Sequence, residues 1–284
     1  MAWAKLEVRM ADIYGFDAFS PKQIAEKVDS IGVTKARLPL LSMVMLGILA
    51  GAFIGLGGLY FTIVKSDASL GFATQQVLGG FTFSLGLILV IVAGAELFTG
   101  NNLLAMAWAD RKITTAELLR NWLVVCLANF VGAVGVALLV FLSGHPEMNQ
   151  GAIALTYAKI AAAKCEMPFW TAFFRGVLCN VLVCMAVWMA LAGRSVVDKV
   201  AAIVFPISAF VAAGFEHSIA NMYFIPLAMM LQSSGTVEVA DSVSTLGFLG
   251  NLLPVILGNL VGGSVFVGLV YHVIYLRGPT HHRE

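Results

Sequence analysis

Residues 68–109 form a 42-residue stretch that contains one charged side chain, Glu96. As unbroken helix it would be about 63 Å long, twice the roughly 30 Å hydrocarbon thickness of a bilayer. Residues 200–237 pose the same problem, interrupted only by Glu216 and His217. Four other uncharged runs (38–64, 121–142, 176–193 and 248–276) each suit a single span. Each of the two long regions is therefore a hairpin of two spans, or one span made of two half-helices with an irregular joint.

Composition makes the bilayer the relevant solvent. Of 284 residues 60% are hydrophobic and 12% charged, with a mean hydropathy of +0.90. An average soluble domain has roughly 25% charged residues. A soluble globule cannot hide so much apolar side chain, and disorder has the opposite composition. The net charge of +1 offers no bulk attraction to nucleic acid.

Loop charges decide between hairpin and broken span. With six spans, residues 1–37, 110–120, 194–199 and the C-terminal end from Arg277 share one side and carry 13 Lys and Arg. The opposite loops carry three, Lys65, Lys159 and Lys164, with Arg175 at a span end. This bias predicts both termini in the cytoplasm. A hairpin over 68–109 would reverse the side of Asp110, Arg111 and Lys112 and spoil it.

The expected organisation is a cytoplasmic N-terminal segment (1–37), three spans (38–142), an extracytoplasmic loop (143–167), three further spans (168–277) and a cytoplasmic tail (278–284). No cleavable signal peptide is expected, because residues 1–37 mix charges of both signs without an isolated apolar core. Ser20-Pro21 opens a capped amphipathic helix, expected along the cytoplasmic interface or solvated. Cys126, Cys165, Cys179 and Cys184 lack metal or redox spacing and read as buried small side chains.

The chain repeats itself. Gly94-Ala95-Glu96 followed by Asn101 matches Gly214-Phe215-Glu216 followed by Asn221, at an offset of 120. Asn121, Leu123, Asn129, Val131 and Gly132 match Asn251, Leu253, Asn259, Val261 and Gly262, at an offset of 130. Three spans per copy means that the two copies have opposite orientations, and inverted repeats place their functional site near the midplane at broken helices. Exposed backbone at that depth is tolerated only inside protein or along a wet cavity. Residues 93–102 and 212–221 are thus where a pore is expected.

The chemistry of such joints favours small anions. The second half-helices are expected to begin near Gly100 and Ile219, and their N-termini carry partial positive charge and free amides. Thr99 and Ser218 offer hydroxyls that either contact a ligand or cap these termini. Glu96 and Glu216 would repel an anion in the lumen, so each is expected to accept bonds from unwound backbone amides. Asn101 and Asn221 are expected to tie freed backbone groups in the same way.

His217, whose repeat counterpart is Leu97, can donate a hydrogen bond to an anion or exchange a proton with it. Low dielectric and nearby helix N-termini favour its neutral form. Phe83 and Leu87 share a helix face, and Phe210 precedes the second joint; these read as core packing or as apolar constrictions. Lys164, in a cation-poor loop, either draws anions or is simply solvated.

The runs FSLGLIL (Phe83 to Leu89), GAELFT (Gly94 to Thr99) and GFEHSIANM (Gly214 to Met222) resemble the signatures of the formate/nitrite transporter family over nearly the whole chain. FSLGLIL, FPISAF and Ile225-Pro226 are most like the formate channel branch. The resemblance implies an all-α polytopic membrane protein with aquaporin-like protomers, each with its own pore, in a homopentamer of the bacterial inner membrane. It implies that Thr99 gates or contacts substrate, that His217 is central, and that Phe83, Leu87 and Phe210 constrict the path. Lys164 and Asn180 match residues of the outer vestibule and path.

The expected activity is movement of formate, passively or with a proton lent by His217; no cofactor, metal or enzymatic chemistry is implied. Nitrite, hydrosulfide and small monocarboxylates remain alternative cargoes. A membrane redox protein using His145, His217 and His272 as haem ligands is a remote alternative.

Overall fold

The computed structural model describes residues 18–277, so the expected tail 278–284 and the first 17 residues of the N-terminal segment lie outside the described chain. All regular structure among the described residues is helical. Helix α1 (Pro21–Ala36) opens with a capping box between Ser20 and Gln23. It is followed by α2 (Leu40–Lys65), α3 (Phe72–Leu89), a short α4 (Ala105–Ala109), α5 (Thr115–Leu142) and α6 (Ala152–Cys165). The rest comprises α7 (Phe169–Ala192), α8 (Val196–Ala212), α9 (Ser218–Ser233), α10 (Thr245–Leu260) and α11 (Val270–Tyr275).

Among the described residues, five helical runs are long and apolar enough to cross a membrane: α2, α3 with its π-helical continuation to Gly94, α5, α7, and Thr245–Tyr275. The last combines α10, a π-helical stretch (Val261–Leu269) and α11. Both long regions are broken. Residues 95–99 are non-helical between the α3 run and a 3₁₀ turn (Gly100–Leu104) leading into α4; residues 213–217 separate α8 from α9. The second arms thus begin at Gly100, as expected, and at Ser218, one residue before the expected start.

Two expectations about the segments outside the spans change. Residues 143–167 hold the 14-residue helix α6, not only loop, and α6 buries Ile153, Ala154, Tyr157, Ala158 and Ala161. Helix α1 is not solvated on all sides: Ile24, Ala25, Val28, Gly32 and Ala36 are buried against α4, α7 and the 3₁₀ turn, while Lys22, Gln23, Glu26 and Ser30 are exposed. Charge pairs hold it there. Arg37 Nε meets Glu117 Oε1 at 2.9 Å, and Lys112 meets the buried Asp29.

Helix α2 packs along α3 and α5, and α7 packs along α8 and α10. Glycine permits the close approach of these backbones. A β-carbon on Gly132 of α5 would overlap the Ile48 carbonyl oxygen of α2, and one on its repeat counterpart Gly262 would overlap the Val177 carbonyl oxygen of α7. Gly135, one turn away on α5, faces open space. Gly132→Ala is therefore expected to cost about 3 kcal/mol or more by overpacking, because the obstruction is backbone. The check is recovery of monodisperse protein in detergent, with Gly135→Ala behaving as wild type.

Candidate functional site

Each break starts on a glycine in the left-handed region, Gly94 at φ 85° and Gly214 at φ 70°, where any side chain would be strained. Beyond it lie backbone groups that hydrocarbon cannot satisfy. Asparagines satisfy them. Asn129 of α5 donates to the carbonyls of Gly47 (2.7 Å) and Glu96 (2.9 Å) and accepts the Phe98 N–H (2.9 Å). Asn259 of α10 donates to the carbonyls of Gly176 (2.8 Å) and Glu216 (3.0 Å) and accepts the Ser218 N–H (3.0 Å). The amides of Glu96 and Glu216 donate to Leu46 and Arg175 carbonyls, at 3.2 and 3.3 Å.

The glutamate and asparagine side chains of the breaks therefore differ from expectation, since neither pair serves the freed backbone. Asn101 Nδ2 donates to Glu96 Oε2 (2.7 Å) and to Asn121 Oδ1 (3.0 Å). Asn221 Nδ2 donates to Glu216 Oε2 (2.7 Å) and to Asn251 Oδ1 (2.6 Å). Each glutamate also meets a lysine from the last turn of a peripheral helix. Lys35 of α1 lies 2.9 Å from Glu96 Oε1, and Lys164 of α6 lies 2.9 Å from Glu216 Oε1. Asn121 and Asn251 donate in turn to the Lys35 and Lys164 carbonyls, at 3.1 and 2.9 Å.

Lys164 is thus neither a solvated loop residue nor an unpaired attractor. Its side chain is 14% exposed, and its charge is offset by the 5% exposed Glu216. Glu216 lines a vestibule rather than facing away from it.

Three cavities succeed one another along the breaks. A vestibule of about 310 Å³ on the α6 side is lined by Lys164, Arg175, Glu216, His217, Phe83 and Phe210, among others. A central space of about 10 Å³, no larger than one water requires, lies among Ile54, Phe83, Leu87, Leu97, Val183, Ile207, Phe210 and His217. A third, of about 50 Å³ on the α1 side, shares Leu87 and Leu97 with the central space and reaches Lys35, Asn101 and Gly100. Phe83 and Phe210 meet edge to face, with ring centroids 5.8 Å apart, and Phe210 stacks on His217 at 6.0 Å.

His217, rather than Ser218, caps α9: its Nδ1 accepts the Ala220 N–H at 3.2 Å. Nε2 lies 3.0 Å from Thr99 Oγ1, so the two breaks meet side chain to side chain. Because Nδ1 accepts a backbone donor, the neutral ring carries its proton on Nε2 and presents it toward Thr99. Thr99 itself makes no capping bond at the 3₁₀ turn. Both imidazole nitrogens are engaged, which disfavours haem ligation.

Asn180 is fully buried behind Thr99, with Nδ2 within bonding distance of the Thr99 and Asn259 carbonyls (3.2 and 2.7 Å) and Asn102 Oδ1 (2.7 Å). The Cys184 thiol reaches the same Thr99 carbonyl at 3.4 Å.

Several residues of the site are not assigned a role by sequence pattern alone. Asn121, Asn129, Asn251 and Asn259 are visible as repeat matches, but the match does not say what they bind. Ile54, Leu97, Val183 and Ile207 complete the central walls; the signal for Ile207 is its position 120 residues beyond Leu87. Lys35 carries no signal except its spacing of 129 from Lys164.

Comparison with known proteins agrees with this architecture. The family model described as formate/nitrite transporter matches residues 22–273. "Formate channel FocA" of Escherichia coli (strain K12) is 39% identical over 279 residues, covering 94% of this chain and 98% of that protein. A solved "Pentameric formate channel with formate bound" is 37% identical with a TM-score of 0.77, covering 84% of this chain and 98% of the other. An "FNT family ion channel" is 33% identical with a TM-score of 0.80, covering 89% and 98%. With the paired breaks, the apolar central space and the matched sequence all in hand, the chain belongs to the formate/nitrite transporter family.

Proposed function

We propose that the chain is a formate channel of the bacterial inner membrane, working as a homopentamer with one path per protomer. Six spans in two inverted halves (38–142 and 168–277), aquaporin-like in plan, surround that path, with both termini in the cytoplasm. The paired hydrogen-bond patterns of the two breaks support the repeat, and the bias of Lys and Arg supports the orientation. Two of the proteins named above are formate channels, one of them pentameric with formate bound.

One observation carries the mechanism. Of the described side chains around the central space, His217 alone is polar. A formate ion leaving either vestibule loses water between Phe83, Phe210 and Leu87. It gains the His217 Nε2–H, with the Thr99 hydroxyl beside it, in a dry site where such a bond is strong. Glu96 and Glu216, neutralised by Lys35 and Lys164, hold the breaks without adding net negative charge to the path. A second proton on the ring would have to sit on Nδ1, against the Ala220 N–H, so a proton relay through His217 requires that the α9 cap open. The geometry favours His217 as a hydrogen-bond donor to the anion.

Flux into proteoliposomes, measured anion by anion at several pH values, tests the function. Formate uptake well above that of empty liposomes is expected. Preferential uptake of nitrite or hydrosulfide, with formate failing to compete, would reassign the cargo within the family.

A further inference from the structure

The pseudo-symmetry that pairs the two breaks fails at one charged position. The carbonyl that receives the Glu96 N–H belongs to Leu46, and the carbonyl that receives the Glu216 N–H belongs to Arg175. Leu46 and Arg175 are thus structural counterparts, one apolar and one cationic, and of the two Arg175 lines a vestibule. Arg175 is exposed and lines the 310 Å³ vestibule; its Nη1 donates to the Gly214 carbonyl at 3.4 Å, on the turn that begins the second break.

The charges of the two vestibules then differ. On the α1 side, Lys35 is offset by Glu96. On the α6 side, Lys164 is offset by Glu216, while no carboxylate pairs with Arg175 among the described residues. The α6-side vestibule keeps one net positive charge and the α1-side vestibule keeps none. A guanidinium has five N–H donors in a planar fork that suits a carboxylate, and the Gly214 contact uses only one of its nitrogens.

We propose that Arg175 is an anion-recruiting site of the α6-side vestibule, selective for small planar oxyanions with two oxygens on one edge. Formate and nitrite have that shape; chloride and hydrosulfide do not. The site lies before the Phe83–Phe210 constriction, so it raises the local anion concentration at that mouth and leaves the central passage to His217 and Thr99. Recruitment is one-sided: entry from the α6 side saturates at lower formate concentration than entry from the α1 side. This rests on the channel reading above, and the wild-type protein tests that reading separately, since absence of formate flux would remove both.

The experiment uses the full chain in proteoliposomes with its orientation determined by protease accessibility. Initial formate flux is measured in each direction, from low to high ionic strength. Arg175→Gln is expected to raise the half-saturating concentration for entry from the α6 side about fivefold at low ionic strength. The maximal rate and flux from the α1 side should stay within twofold of wild type, and the salt dependence of entry should flatten. Arg175→Lys should keep the salt dependence but lose the preference for formate over chloride in competition. A wild-type half-saturation and salt response in Arg175→Gln would overturn the proposal. So would a fall in maximal rate alone, which would mark Arg175 as only a clamp on Gly214.

Discussion

Replacing His217 with Ala is expected to lower formate flux per folded channel by roughly 10- to 100-fold. A hydrogen bond to a charged partner contributes about 1.5–3 kcal/mol, and each 1.4 kcal/mol at a barrier is tenfold in rate. The central space offers no other polar lining side chain to replace it. Ala also removes the α9 cap, worth about 1 kcal/mol, so a lower rate in that variant alone is ambiguous. His217→Asn separates the two roles. Asn is a good cap for the Ala220 amide but is too short to place a donor where Nε2 stands beside Thr99. Stopped-flow uptake should therefore show His217→Asn as slow as the Ala variant while its thermal midpoint stays near that of wild type. Wild-type rates in His217→Asn would sink the donor role. A flux that keeps its size but loses its pH profile would assign proton transfer instead.

Asn259→Ala is expected to lower stability strongly. It strands the Ser218 N–H and the Glu216 carbonyl at the break, while the Gly176 carbonyl keeps its intrahelical partner, all within the membrane-spanning core. Each orphaned group costs about 1–3 kcal/mol, so even the low end removes about 2 kcal/mol from a fold typically stable by roughly 5–15 kcal/mol. A fall in thermal midpoint on the order of 10 °C, or failure to recover monodisperse protein, should follow. Asn129→Ala strands the matching two groups in the first break, the Phe98 N–H and the Glu96 carbonyl, and should cost a similar amount. Scanning fluorimetry of detergent-purified variants measures both. A midpoint at the wild-type value for either would mean that the breaks satisfy their backbone in another way.

Much of this site is legible in the sequence because broken membrane helices leave local marks. A charge at mid-depth, a glycine two residues before it and an amide five residues after it recur together at Glu96 and Glu216. The role of each group is harder to read. The sequence suggests that the glutamates serve the unwound backbone, because a carboxylate in the lumen would repel an anion. In the fold the backbone is served from neighbouring helices by Asn129 and Asn259, which leaves the glutamates for Lys35 and Lys164. Those lysines sit outside the apolar runs, 61 and 52 residues from their partners, where hydropathy patterning carries no information.

Ser218 shows the same limit at shorter range. Its hydroxyl is a good capping group by type, yet His217 takes the cap because its ring lies over the first turn of α9, and the Ser218 hydroxyl is left without a partner.

The sequence by itself determined the solvent and the two break positions, because both follow from how far charged and unpaired backbone groups can lie from water, and its motifs carried the family. Tertiary structure alone decided which buried polar groups pair, that His217 presents Nε2 to Thr99, and that one vestibule keeps the uncompensated charge of Arg175. Those outcomes depend on which helices approach within about 3 Å at the breaks. Hydrogen bonds and ion pairs are short-ranged and directional, so spacing along the chain does not specify them.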